Sequence, residues 1–351
     1  MRRWRVPVAS RAFQAGFFFA VGVWLVGAEM FCRIGAAGFW YRHFDFSGRL
    51  VSLPEMRDRL AYETRQPFPV CLLGDSVAGA SALIENRIPD AAQHSLTRRL
   101  QAHFRPQGRQ LFSLGADGLN LPEMETIATE FDAARPRAVL ILLNYRMFAP
   151  ALHGDGGVGY WFLQPAESPR AADASRSLAE TVEGFADQYS ALFRSTQLLK
   201  TLWYFPSQRD FFQRQLERWF PQPRDADLAE AALKMKVAPY YRDVTWQTDS
   251  AAFRSLARLL GHLHATHIPA RIVLTPQNAS FLHDAINPET FRDNRAVLQE
   301  FVQAHGGEEA RYVDWADRYP ASSFLDHCHL TADGNERYAR DLVELLAGVS
   351  A

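Results

Sequence analysis

The sequence predicts an α/β protein in which a parallel sheet of about five strands lies between two layers of helices. Three observations predict it. Short apolar runs recur along the chain. Each is only four to six residues long and bounded by proline, glycine or polar residues. Stretches with apolar residues three and four apart separate them, and strands that alternate with helices pair in parallel, with both faces covered.

The elements follow in order. Met1-Arg2-Arg3-Trp4-Arg5 and Arg11 precede residues 12–32, whose strongly polar positions are Gln14 and Glu29. As a helix this span would be about 32 Å long, enough to cross a hydrocarbon core of about 30 Å. It is longer than the apolar core of about 7–15 residues in a cleaved signal peptide. The arginines before it place the N-terminus in the cytoplasm by the positive-inside bias. Residues 1–37 are therefore expected to be a cytoplasmic N-terminus with a transmembrane anchor, and the rest of the chain is expected outside the plasma membrane. Residues 38–66 read as an interfacial belt and linker, and residues 67–351 as the soluble domain.

Within that domain the predicted strands are Val70–Leu73, Gln110–Leu114, Ala138–Leu143, Arg271–Leu274 and Arg311–Val313. Predicted helices cover Leu83–Phe104, Pro122–Ala134, Ala251–Thr266, Asn287–His305 and residues 330–348. About 125 residues separate the third and fourth runs, whereas a crossover between parallel strands needs only about a dozen. A helical insertion is expected at 151–250. It contains Gly154-Asp155-Gly156-Gly157, an amphipathic stretch from Leu178 to Leu202, and the aromatic groups Trp203-Tyr204-Phe205, Phe211-Phe212 and Trp219-Phe220. These aromatics read either as a satellite core or as a lid or docking surface.

Composition narrows the function. With 38 basic and 39 acidic residues the formal net charge is −1. That balance, with no basic stripe interleaved with aromatics, argues against a nucleic-acid partner. Cys32, Cys71 and Cys328 lack metal-type spacing. His262, His264 and His267, at i, i+2 and i+5 on a helix, do not share one face. No metal and no cofactor are expected.

The chemistry gathers where strands end. In open parallel sheets ligands lie beyond the carboxyl ends of the strands, where strand order reverses. Gly74-Asp75-Ser76 follows the first strand, Ser113-Leu114-Gly115-Ala116-Asp117-Gly118 the second, and Asn144 ends the third. Near the C-terminus stands Asp326-His327-Cys328-His329. A serine hydroxyl becomes nucleophilic when an imidazole accepts its proton and a carboxylate orients that imidazole. Ser76, His329 and Asp326 supply those three groups. His327 is a rival base, but the three-residue step from Asp326 favours His329. Asp75 reads as a loop anchor and Cys328 as a small loop residue.

These residues resemble the blocks of the SGNH/GDSL-type serine hydrolases. Gly74-Asp75-Ser76 matches the first block, Gly115 the second, Asn144 the third, and Asp326 with His329 the fifth. The resemblance covers roughly residues 68–148 and 268–345. It departs at the third block, where Leu142 and Tyr145 surround Asn144 in place of Gly-x-Asn-Asp, and at Ser113, where the second block often has asparagine. It implies a flavodoxin-like three-layer α/β/α sandwich. It further implies a triad of Ser76, His329 and Asp326, and an oxyanion hole built from the Ser76 N–H, the Gly115 N–H and the Asn144 side chain.

A single anchor before such a domain is similar to bacterial envelope proteins that handle acyl esters on polysaccharides, including the alginate acetylation and DltD-like groups. That likeness implies an O-acetyltransferase acting on an extracytoplasmic glycan beside a multispanning membrane acyltransferase. The alternatives are an esterase of the same fold and a non-catalytic glycan-binding partner.

Overall fold

The computed structural model describes residues 11–32, 53–66, 69–115, 117–133, 135–149, 190, 192, 233–234, 237–242, 244–283 and 285–347. The chain divides into two compact units, Met1–Phe44 with Ser175–Gln208, and Asp45–Ala174 with Arg209–Ala351.

The second unit is built on five strands: β1 (Pro69–Leu73), β2 (Gln110–Ser113), β3 (Ala138–Leu143), β4 (Ala270–Leu274) and β5 (Ala310–Asp314). They pair in the order β2-β1-β3-β4-β5, every pair parallel. The apolar runs are continuous because both faces are covered. Val70, Leu72, Leu140 and Leu142 pack on one side, against Leu100 and Phe104 of α3 (Leu96–Phe104) and Tyr338 and Leu342 of α7 (Ala332–Ala347). Cys71, Leu73, Val139, Ile141 and Leu143 face the other side. There α4 (Leu121–Thr129), α5 (Ala251–Ala265) and α6 (Pro288–His305) supply Met124, Phe253, Leu256, Leu298 and Phe301. Three layers with a five-stranded parallel sheet agree with the sequence expectation.

Helix starts follow side-chain caps. Ser95, Ser250 and Asn287 each accept a first-turn backbone N–H. Asn120 and Glu123 close a reciprocal capping box ahead of α4, which satisfies N–H groups the helix cannot.

The structure departs from the sequence expectation in several places. Residues 38–66 were expected to be linker, yet α2 (Leu53–Glu63) lies among them and buries Met56 and Leu60 in the core. The expected helix Leu83–Phe104 is broken. A short helix Ser81–Glu85 stops, Arg87 and Asp90 adopt φ of 58° and 52°, and a 3-10 turn, Ala91–His94, precedes α3. Pro89 between them has no N–H to continue a helix. Part of the expected insertion belongs to the core: Val237, Tyr241 and Trp246 are buried there. Tyr241 stacks on Tyr145 at 5.4 Å. Gly154–Gly157 and the aromatic groups between 203 and 220 lie outside the described residues, as does the 178–202 stretch apart from Ser190 and Leu192.

In the first unit, α1 (Arg11–Phe31) forms over the apolar N-terminal segment. Its Glu29 carboxylate accepts hydrogen bonds from Ser190 Oγ and the Leu192 N–H, each at 2.9 Å. Among the described residues no helix is long and apolar enough to cross a membrane. The stretch of α1 with described side chains begins at Gly16.

The chain runs from β1 outward to β2 and then returns to β3 on the opposite side of β1. Strand order therefore reverses between β1 and β3, and the loops after these strands flank the crevice where ligands enter such sheets.

Candidate active site

Ser76 sits in a tight turn directly after β1. Asp75 Oδ1 accepts the Val77 N–H at 3.1 Å, the Asp75 carbonyl accepts the Ala78 N–H, and the Ser76 carbonyl accepts the Gly79 N–H. The turn touches the loop after β2. A Cβ at Gly115 would lie 2.4 Å from the Gly74 carbonyl oxygen, so only glycine permits that approach.

Asp326 and His329 come from the loop beyond β5, pinned by the Phe324–Leu330 bridge and by a hydrogen bond from the Leu325 N–H to the His329 carbonyl. Asp326 Oδ1 accepts the backbone N–H groups of Cys328 (2.9 Å) and His329 (2.8 Å). Asn278, beyond β4, ties the loop down: its Nδ2 donates to the Asp326 carbonyl and its N–H to the His327 carbonyl. Asp326 Oδ2 lies 2.7 Å from His329 Nδ1, and His329 Nε2 lies 2.8 Å from Ser76 Oγ. Residues 253 positions apart thus share one hydrogen bond. Ser76, His329 and Asp326 form a continuous relay.

The relay's electrostatics suit proton transfer. Burial opposes the Asp326 carboxylate, but the His329 hydrogen bond, the His329 and His327 charges and the Cys328 N–H together hold its carboxyl well below the usual range. An ionised Asp326 accepts Nδ1–H and leaves Nε2 as the acceptor for the serine proton. Burial also opposes a charged His329, yet the Cys328 sulfur and the Asp326 carboxylate favour the imidazolium and raise its pKa well above the ordinary value. Cys328 Sγ is fully buried, 3.3 Å from His327 Nε2 and 3.8 Å from His329 Nδ1. Burial pushes its thiol up, and the two imidazoles more than reverse that, to about 6.

The expected oxyanion donors are arranged differently. Asn144 has no exposed side-chain surface. Its Nδ2 donates to Asp75 Oδ2 at 3.2 Å and its Oδ1 accepts the Arg146 N–H at 3.3 Å, capping the 3-10 turn Tyr145–Phe148. The Gly115 N–H donates to Ser113 Oγ at 3.1 Å. The resemblance aimed both groups at substrate; the fold engages both internally. The Ser76 N–H has no acceptor among the described residues.

Sequence reasoning missed Arg146. Its Nη2 donates to Asp75 Oδ2 at 2.8 Å and lies 3.2 Å from Ser76 Oγ. Burial opposes the guanidinium charge, and the Asp75 carboxylate more than restores it. The available signal was position alone, two residues beyond Asn144 at the rim where the other candidates converge. Asp117, named within the second block, hydrogen-bonds Ser81 Oγ, and burial raises its carboxyl.

Among the described residues one group could hold a metal ion. Ligand atoms of Asp326, Cys328 and His329 lie within 4.8 Å of one another, but Asp326 and His329 already bond each other in the relay. His264 and His267 both bond the Glu309 carboxylate, at 2.5 and 3.0 Å, while His262 faces Asp132.

No family model matches the chain, and no curated protein matches it. Among solved structures it is similar to a member of the lipolytic protein G-D-S-L family from Veillonella parvula, at 11% identity and TM-score 0.37, covering 80% of this chain and 98% of that one. It is also similar to a salicylyl-acyltransferase from a tetracycline biosynthetic pathway, at 11% identity and TM-score 0.38, covering 81% and 55%. A third is a carbohydrate esterase family 2 enzyme with a carbohydrate-binding domain from Corynascus thermopiles, at 12% identity and TM-score 0.36, covering 80% and 66%.

Proposed function

We propose that this chain is an SGNH/GDSL-type serine enzyme of acyl esters that transfers an acetyl group to an extracytoplasmic glycan. The observation that carries the reading is the relay from Ser76 Oγ through His329 to Asp326. His329 Nε2 takes the hydroxyl proton as Ser76 Oγ bonds the ester carbonyl carbon, and Asp326 holds the imidazole in that tautomer. His329 then returns the proton to the departing alkoxide, leaving an acyl-Ser76. An acceptor hydroxyl gives its proton to His329 and takes the acyl group, which restores the serine. Water as acceptor makes the same site an esterase.

A cleft of about 660 Å³ lies beside the segment that follows β4. Gln277, Phe291, Arg292, Arg295 and Asp317 line it, and Gln277 adjoins the Asn278 that ties down the triad loop. The glycan acceptor itself rests on the likeness to envelope acyl-ester proteins drawn from the sequence. Placement in the membrane, with the site extracytoplasmic, rests on the apolar α1 and the arginines before it in the sequence.

The test uses the full chain in detergent with a chromogenic acetyl ester, wild type against Ser76→Ala. Serine-dependent turnover supports the reading, and turnover indifferent to Ser76 overturns it. Adding an oligosaccharide acceptor then separates the two outcomes. Acetylated oligosaccharide by mass spectrometry supports transfer, and free acetate alone leaves the esterase.

A further inference from the structure

We propose that the Arg146 guanidinium supplies the side-chain donor to the oxyanion, the role that sequence resemblance gives to Asn144. The inference rests on the acyl-ester reading and deepens it.

When Ser76 Oγ bonds the carbonyl carbon, the proton passes to His329 Nε2. The carbonyl π pair moves onto its oxygen, and a negative charge develops one atom away from Oγ. A donor serves that charge if it is fixed beside the spot beforehand and is not engaged elsewhere. The Asn144 amide fails the second condition, because it is wholly buried and its Nδ2 donates to Asp75. Arg146 meets both. Its Nη2 lies 3.2 Å from Ser76 Oγ, and 22% of its side chain remains exposed. A guanidinium carries five N–H donors, so a bond to Asp75 leaves others available.

The neighbouring residues fall into order behind it. Asn144 and the Val77 N–H hold the two oxygens of Asp75, and Asp75, only 1% exposed, holds Arg146 against the nucleophile. Asn144 and Asp75 are then positioning residues, and Arg146 touches the reacting atoms. A charge-assisted donor is roughly twice as strong as a neutral amide, so Arg146 can take the place of an amide engaged with Asp75.

The test measures phosphonylation of Ser76 by a fluorophosphonate probe on the full chain in detergent. Ser76 Oγ bonds phosphorus, fluoride leaves, the serine proton goes to His329, and the phosphoryl oxygen occupies the oxyanion position. Arg146→Ala alone would strand a buried Asp75 carboxylate, so two other variants are used. Arg146→Lys keeps the charge pair without the fork, and Asp75→Asn with Arg146→Ala removes both charges together. With far-ultraviolet circular dichroism unchanged, each is expected to lower the maximal labelling rate, the double variant by about 10²- to 10³-fold. The half-saturating probe concentration should change little, and added guanidinium should restore part of the rate in the double variant. Ser76 labelled at the wild-type rate in both folded variants overturns the proposal alone, as does a change confined to half-saturation. A wild-type chain that is not labelled at Ser76 overturns the acyl-ester reading with it.

Discussion

At the scale of single residues, the relay makes two predictions that a structural role for these side chains would not. Asp326→Asn keeps the shape but presents an amide to Nδ1, which favours the wrong imidazole tautomer. Ester turnover is expected to fall on the order of 10⁴-fold with little change in KM. The second concerns pH. His329 has its pKa raised above the ordinary value near 6.5, and a general base works only when deprotonated. Activity should therefore rise with pH through an inflection above about 6.5. The stabilisation from the charged imidazole runs oppositely, being complete below the unfolded value and lost as pH rises through the folded one. A kcat/KM profile reads the inflection. Cys328→Ala removes the neighbouring sulfur and should move the inflection downward, and an inflection already below 6.5 in the wild type would refute the assignment. Ser76, Asp326 and His329 were legible because each stands in a spacing that means something. Arg146 was not, since a lone arginine between Tyr145 and Met147 has no pattern until β1 and β3 bring it to the serine.

At the scale of elements, α4 offers a clean test of what positions the second loop. Asn120 accepts the Glu123 N–H at 3.0 Å and Glu123 Oε2 accepts the Asn120 N–H at 3.3 Å. Asn120→Ala removes one half of the box and should cost about 1 kcal/mol. That corresponds to roughly 2–4 °C in the thermal midpoint of a domain of this size; no shift would mean the buried cap is redundant. Gly115→Ala is harsher, because its Cβ would meet the Gly74 carbonyl at 2.4 Å. It should separate the Ser76 turn from the loop after β2 and lower turnover more than it lowers the melting point. β1 and β3 were readable nearly to the residue because strands covered on both faces demand unbroken apolar runs, whereas the edge strand β5 carries Arg311 and Asp314. The break between Glu85 and Leu96 was harder to read, since Ile88 and Leu96 continue an apolar pattern that Pro89 alone contradicts. The core role of α2 was also missed. Met56 and Leu60 stand four apart, a helical signal, but Arg57, Asp58 and Arg59 between them make the segment read as polar linker.

At the scale of the whole molecule, the feature that asks for explanation is the surface of α1. Phe17, Phe18, Phe19, Val23, Trp24, Val26 and Phe31 are each more than half exposed, and every exposed large hydrophobic among the described residues lies on this helix. Burying one such side chain fully is worth about 1.5–3 kcal/mol, so seven together give a strong drive out of water. A contiguous apolar surface of this kind marks a membrane or protein contact. The one acidic side chain late in the helix, Glu29, does not oppose insertion as a bare charge would, because Ser190 Oγ and the Leu192 N–H both donate to it. The sequence adds Arg2, Arg3, Arg5 and Arg11 ahead of the apolar run, each attracted to anionic headgroups by about 1 kcal/mol near the surface. The full chain, transferred from detergent, is therefore expected to float with vesicles of mixed neutral and anionic lipid. It should resist release by high salt, because apolar burial is not screened as charge attraction is. Phe17→Ser, Phe18→Ser and Phe19→Ser together should weaken flotation while leaving Ser76-dependent ester turnover in detergent unchanged, since these residues lie in the first unit and the triad in the second. A full chain that stays monodisperse without detergent and fails to float would show that α1 is covered by protein instead of lipid.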